Sequence, residues 1–220
     1  MSKPPGAPVF FDVDGVLLDS LPQHLAMCSD KAREYGLNLH VPDVQQFRRM
    51  VASGVKVSPM LEFFLAVGFP PNLARQAVVA YESDFAQRYP PSVFPGINEM
   101  LRRLEIAGHP MGLVTSNIAA NVEPPLRDVI ANFDRRCLFY LDRYYPPRSK
   151  SWCLGEGARV LGALPQDCVF VGDQPADTAA AREGGWKFLG VSYGWGLLAD
   201  DSAARVVDTP AQIADAILGP

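Results

Sequence analysis

Two carboxylates two residues apart, Asp12 and Asp14, stand at the end of a short apolar run and directly precede Gly15. Period two along an extended chain aims both at one site, and such a pair can act as nucleophile and proton carrier. Three other polar groups end similar apolar runs. Thr115-Ser116-Asn117 offers a hydroxyl and the amides of a following turn, suited to holding an anionic oxygen. Arg148 and Lys150 offer cations, and Asp173 and Asp177, behind Gly172, offer hard oxygen ligands for Mg2+. Each group also has a plainer reading. Asp-x-Asp-Gly can be a polar turn, Ser, Thr and Asn are common helix caps, loop cations are usually solvated, and Asp177 can cap a helix over Thr178–Arg182. Their shared position tells more than any one of them: all four lie at the carboxyl ends of successive apolar runs, where open α/β sheets gather ligands. A nucleophile, metal ligands and positive groups around a phosphate are what phosphoryl transfer requires.

The runs themselves, Val9–Val13, Pro110–Val114, Cys137–Leu141, Cys168–Val171 and Lys187–Val191, are short and apolar, as buried parallel strands are. Helical spacing separates them: Ile97, Met100, Leu101 and Leu104 share one face, and Leu154, Ala158 and Leu161 another. Alternating strands and helices predict an α/β fold with a doubly wound parallel sheet. Residues 14–109, between the first two strands, are far more than a crossover needs. From Leu21 to about Tyr89 this insertion is helix-compatible, with breaks at Gly36, Pro42, Gly54, Gly68 and Pro70-Pro71. The expected organisation is a tail over 1–8, a catalytic core over 9–20 and 90–220, and a small helical cap over 21–89.

The bulk composition fits this layout. A chain of 220 residues, 48% hydrophobic and 20% charged, holds one α/β core and a smaller appended unit. Its formal charge of -4 argues against a nucleic-acid partner. The sequence has no apolar run of about 18 residues and no signal-peptide or lipidation pattern, so a cytoplasmic protein without a membrane partner is expected. Cys28, Cys137, Cys153 and Cys168 are isolated and read as reduced, mostly buried thiols.

FDVDGVLLDS, PGINEMLRRLEIAGHPMGLVTSN and VFVGDQPADTAAAREGG, in this order, resemble motifs of the haloacid-dehalogenase-like (HAD) phosphatases with a helical cap, a subgroup that includes phosphoglycolate phosphatases and β-phosphoglucomutases. The likeness runs from about Val9 to Trp195 and implies a Rossmann-like core. It implies that Asp12 forms an aspartyl-phosphate while Asp14 serves as acid and then base. Thr115 and the Ser116 amide would hold the phosphoryl group, with Mg2+ on Asp12, the Asp14 carbonyl and Asp173, and Asp177 close by. The carboxylate at Asp14 argues against haloacid dehalogenases and phosphonatases, which lack it. The third motif departs from the family's usual Lys-Pro: PPRSKSW puts Arg148 at the lysine position without a gap, whereas chemistry and a two-residue shift favour Lys150.

Within the insertion, His24 resembles a histidine that aids cap closure, and Gly54-Val55-Lys56 resembles a substrate-facing loop in which Lys56 could meet an acidic substrate. Asn117 is a further candidate for substrate contact, and His40 and His109 read as structural or exposed. The leading expectation is hydrolysis of a small phosphomonoester by a monomer or homodimer. The alternatives are a phosphosugar mutase and a phospho-accepting binding module. Val57 stands where the mutases carry an arginine, which favours hydrolysis.

Overall fold

The computed structural model describes residues 6–198 and 205–219. Strand β1 (Val9–Phe11) leads to a two-residue strand β2 (Leu18–Asp19) and four helices: α1 (Leu21–Glu34), α2 (Val44–Ala52), α3 (Met60–Val67) and α4 (Pro71–Arg88). The chain returns through β3 (Ser92–Val93) and then alternates: α5 (Ile97–Ile106), β4 (Met111–Val114), α6 (Ala119–Leu126), β5 (Leu138–Phe139), α7 (Lys150–Leu161), β6 (Val169–Gly172), α8 (Pro175–Gly184) and β7 (Lys187–Val191). It ends with β8 (Arg205–Val207) and α9 (Pro210–Leu218).

Six strands form one sheet in the order β5-β4-β1-β6-β7-β8, and every pairing in it is parallel. The chain fills one side of β1 with β4 and β5, then crosses to fill the other with β6, β7 and β8. Strand β1 is therefore the switch point, and its carboxyl end opens onto the crevice that such sheets use for ligands. The doubly wound α/β expectation holds.

Val9, Phe10 and Phe11 are fully buried, because helices cover both sheet faces. Alternation sends Val9 and Phe11 toward a cluster with Ile97, Leu101 and Leu104 of α5 and Ile213 of α9. Phe10 points the other way, with Phe139, Leu154 of α7 and Ala181 of α8. Its ring lies where side chains on Gly112 and Gly157 would collide with it, and meets Trp186 edge-on at 5.0 Å. Helices α1–α4 close around a cluster of their own, including Phe47, Phe63, Phe64, Tyr81 and Phe85. Trp195, from the loop after β7, inserts into that cluster.

Several local expectations change. The ladder of β1 stops at Phe11, which leaves Asp12 and Asp14 just past its end. The strand expected over Cys137–Leu141 shrinks to Leu138–Phe139, because 3-10 turns at Arg135–Cys137 and Leu141–Arg143 flank it. Of the expected tail, Gly6–Pro8 are held in place: Gly6 N–H donates to Gly108 O, Val169 N–H to Pro8 O, and His109 Nδ1 to Ala7 O. His40 is exposed, and all four cysteines are free and buried. No described helix is long and apolar enough to cross a membrane.

Phe10→Ala should lower stability by about 3–5 kcal/mol, the cost of a large aromatic cavity, measured by urea denaturation.

Candidate active site

The site starts at the turn after β1. Asp12 N–H still donates to Val171 O at 2.9 Å, so β6 fixes its backbone, and Asp12 Oδ1 accepts from Val13 N–H at 2.8 Å. The turn closes through Gly15 N–H to Leu18 O. Gly15 has φ +81°, and a side chain there would collide with Asp173 Oδ2 and Trp195. Glycine is required twice over, by backbone conformation and by space. Asp14 Oδ2 accepts from Asn117 Nδ2 at 2.9 Å. Asn117 is itself pinned, its N–H donating to Thr115 Oγ1 at 3.1 Å and its Oδ1 accepting from Ile118 N–H at 2.9 Å.

Lys150 is the first residue of α7, which Ser149 caps by accepting from Trp152 N–H. Its ammonium donates to Asp12 Oδ2 and to Asp177 Oδ1, both at 2.7 Å. The other oxygen of Asp177 accepts from the backbone amides of Asp173 and Gln174 at 3.2 and 3.1 Å. Asp173 Oδ2 accepts from Trp195 N–H at 2.5 Å, and Asp173 Oδ1 is buried without a partner. Asp12, Asp173 and Asp177 each place an oxygen within 4.8 Å of the others.

The electrostatics follow from three buried carboxylates sharing one ammonium. Burial pushes Asp12 up to about 7 against the pull of Lys150, and Asp177 adds to the rise. Burial, then Asp177 and Asp12, push Asp173 well above the ordinary carboxylate range. For Lys150, burial favours the neutral amine, but Asp12 and Asp177 outweigh it and hold the ammonium charged. A clustered negative charge with an unpartnered inner oxygen fits a hard divalent cation, and these three aspartates could hold one.

Asp12, Asp14, His24, Thr115, Ser116, Asn117 and Lys150 meet around one small cavity of about 30 Å3. Between the two basic candidates the geometry separates sharply. Arg148 is exposed and its guanidinium lies over the Trp152 ring at 5.1 Å, away from the carboxylates that Lys150 bridges. Lys56 lies outside this cavity, on an adjoining groove, with its ammonium 3.8 Å from Glu62. Val57 lines the cavity too, and Ser58, Met60, Tyr81, Gln174 and Trp195, which complete the lining, escaped sequence reasoning. Tyr81 shares a helical face with buried Ala74, Ala77 and Phe85, so its spacing marks it as core. Trp195 carried one faint signal, a bulky ring between Gly194 and Gly196. A side chain at Gly194 would meet Asp173, and one at Gly196 would meet Val51.

A parallel sheet with acidic, hydroxyl and lysine side chains converging at its switch point beneath a helical unit defines a doubly wound α/β protein with a carboxylate-centred ligand site. The chain belongs to the haloacid dehalogenase-like hydrolase family, whose model matches residues 9–191. It is 31% identical over 220 residues to a phosphoglycolate phosphatase of Xanthomonas campestris, covering 93% of each chain. It is 27% identical to the N-acetylmuramic acid 6-phosphate phosphatase of Pseudomonas aeruginosa, covering 95% of this chain and 93% of that one. A haloacid dehalogenase-like hydrolase from Streptococcus pneumoniae shares the fold with a TM-score of 0.78 at 21% identity, over 94% of this chain and 96% of that one.

If the three aspartates hold a divalent cation, Gly15→Ala should weaken its binding at least about tenfold, since one added methyl displaces the Asp173 carboxylate. Calorimetric titration of wild type and variant with Mg2+ measures this.

Proposed function

We propose that the protein is a Mg2+-dependent cytoplasmic phosphatase that hydrolyses a small phosphomonoester through an aspartyl-phosphate on Asp12. The observation that carries this reading is the bridge of Lys150 between Asp12 and Asp177, within a carboxylate cluster, with Asp14 held beside it by Asn117. The curated relatives named above are phosphatases of phosphomonoesters, which supports the same reading.

In this mechanism Asp12 Oδ attacks phosphorus as the bond to the leaving oxygen breaks, and Asp14 gives that oxygen a proton. Asp14 then takes a proton from water, which attacks the phosphoryl group, releases inorganic phosphate and regenerates Asp12. The Thr115 hydroxyl, the Ser116 amide and Lys150 hold the phosphoryl oxygens. Asn117 fixes the carboxyl of Asp14 so that it faces the leaving oxygen. Asp12, the Asp14 carbonyl, Asp173 and Asp177 would hold Mg2+, which would offset the repulsion between Asp12 and a phosphate dianion. Helices α1–α4 cover the site, limit the substrate to a small one and control water entry. Hydrolysis is favoured over isomerisation because the position that the resemblance aligns with the mutases' arginine is Val57, which is buried and lines the cavity.

Phosphate release from a panel of phosphomonoesters tests this. It should require Mg2+, stop with excess EDTA, and vanish in Asp12→Asn; clear turnover by that variant would sink the covalent mechanism. Lys150→Met should lose about 2–4 kcal/mol of transition-state stabilisation in kcat/KM, as for removal of one preorganised donor. Arg148→Met should lose far less, and the reverse ordering would move the cationic role to Arg148.

A further inference from the structure

The two oxygens of Asp14 have different surroundings. Oδ2 accepts from Asn117 Nδ2, and Oδ1 is buried with no partner among the described residues. An oxygen already serving as acceptor is a poor seat for a proton, so the proton that Asp14 gives to the leaving oxygen belongs on Oδ1. Where Oδ1 points is then set by whatever holds the Asn117 amide. On one side that is Ile118 N–H, donating to Asn117 Oδ1 at 2.9 Å. The other side leads into the helical unit.

Tyr81 of α4 lines the same cavity, close enough for the charge of Asp14 and the amides of Asn117 and Asn121 to act on its hydroxyl. The direction of the protons along this contact is fixed from its far end. Ser20 O can only accept, so His24 Nδ1, 2.7 Å away, carries a proton. Burial among Phe63, Phe85 and Trp195 lowers the pKa of His24 and keeps the ring neutral. His24 Nε2 therefore accepts, and the Tyr81 hydroxyl 3.3 Å away donates to it. Burial, then the charge of Asp14, push the phenol well above its ordinary pKa, so the hydroxyl keeps its proton. With that hydrogen directed at His24, Tyr81 Oη turns lone pairs toward Asn117. They suit the second hydrogen of Nδ2, the atom whose first hydrogen goes to Asp14.

The backbone of Tyr81 is held as well. Asn121 of α6, itself buried, donates through Nδ2 to Tyr81 O at 3.1 Å and accepts at Oδ1 from Ala86 N–H at 3.3 Å. Helix α6 starts two residues after Asn117, so one short segment bears both the amide that holds Asp14 and the clamp that holds α4. Filling a core would require only the tyrosine ring.

We propose that Tyr81 is a positioning residue for the acid: it orients the Asn117 amide so that Asp14 Oδ1 faces the oxygen that leaves phosphorus. This rests on the phosphatase reading and deepens it. As the P–O bond breaks, its electron pair stays on the leaving oxygen, which takes the proton from Asp14 Oδ1. The need for that proton depends on the leaving group, since a stabilised phenolate departs without it and a more basic one does not.

The test compares two esters of similar shape, 4-nitrophenyl phosphate, whose leaving group needs little protonation, and phenyl phosphate, whose leaving group needs more. Tyr81→Phe keeps the ring. Its kcat/KM for phenyl phosphate should fall about tenfold or more, and that for 4-nitrophenyl phosphate by no more than about threefold, a part of what general acid catalysis supplies. A merely structural defect would lower both alike. Asp14→Asn should shift the ratio of the two esters further in the same direction. If urea denaturation shows Tyr81→Phe to be unfolded, Asn121→Leu, which releases α4 from outside the cavity, is read in its place with the same direction expected. An unchanged ratio in the variant that is read, or a wild type that hydrolyses 4-nitrophenyl phosphate alone, overturns this inference. An unchanged ratio in Asp14→Asn overturns the acid role on which it stands, and a wild type that hydrolyses neither ester overturns the phosphatase reading beneath both.

Discussion

Three carboxylates buried within reach of one another are the constraint from which the rest of the site follows. Left to themselves, Asp12, Asp173 and Asp177 would repel and protonate, since burial penalises their charged forms. Lys150 offsets part of that charge and fixes one edge of the cluster, which requires α7 to begin where it does, with Ser149 as its cap. Backbone amides take up more: those of Asp173 and Gln174 on Asp177, and that of Trp195 on Asp173. What is left is a concentration of negative charge suited to a divalent ion.

The same crowding sets the local backbone. Gly15, Gly172 and Gly194 each lack a side chain where one would run into Asp173 or Asp177. The carboxylates can approach because the segments around them are stripped to main chain. The sheet supplies the other half of the arrangement, with β1 between β4 and β6 so that strand ends from both halves of the winding face one crevice.

Much of this was legible in the sequence, and the limits have physical causes. Apolar runs ending in Asp, Thr or Asp reveal parallel strands and their polar ends, because the sheet is covered on both faces. Asp12, Asp14, Thr115, Lys150, Asp173 and Asp177 were therefore within reach of reading. Strands β2 and β3, two residues each, carry no periodicity, and Pro124-Pro125 inside α6 reads as a break. Strand β8 and helix α9 escaped for lack of a long apolar run. Ungapped spacing pointed to Arg148 and chemistry to Lys150, since only the start of α7 decides which one turns inward. Tyr81 and Met60 look like ordinary core residues, because a residue that lines a cavity and one that fills a core follow the same helical period.

Trp195 belongs to two parts of the molecule at once. Its amide is bound to Asp173 on the sheet, while its indole lies 5.0 Å from His24 and 5.6 Å from Phe63 among the helices. Arg48 of α2 adds a second tie, donating to Ser192 O in the same loop. If the helices swing away to admit a ligand, the indole must pass from a shielded aromatic nest into water or carry its loop, and Asp173, with it. The protein thus contains its own optical gauge of opening. Emission from Trp195 reports the polarity around the ring, against a background from Trp186, packed on Phe10, and Trp152, already partly exposed.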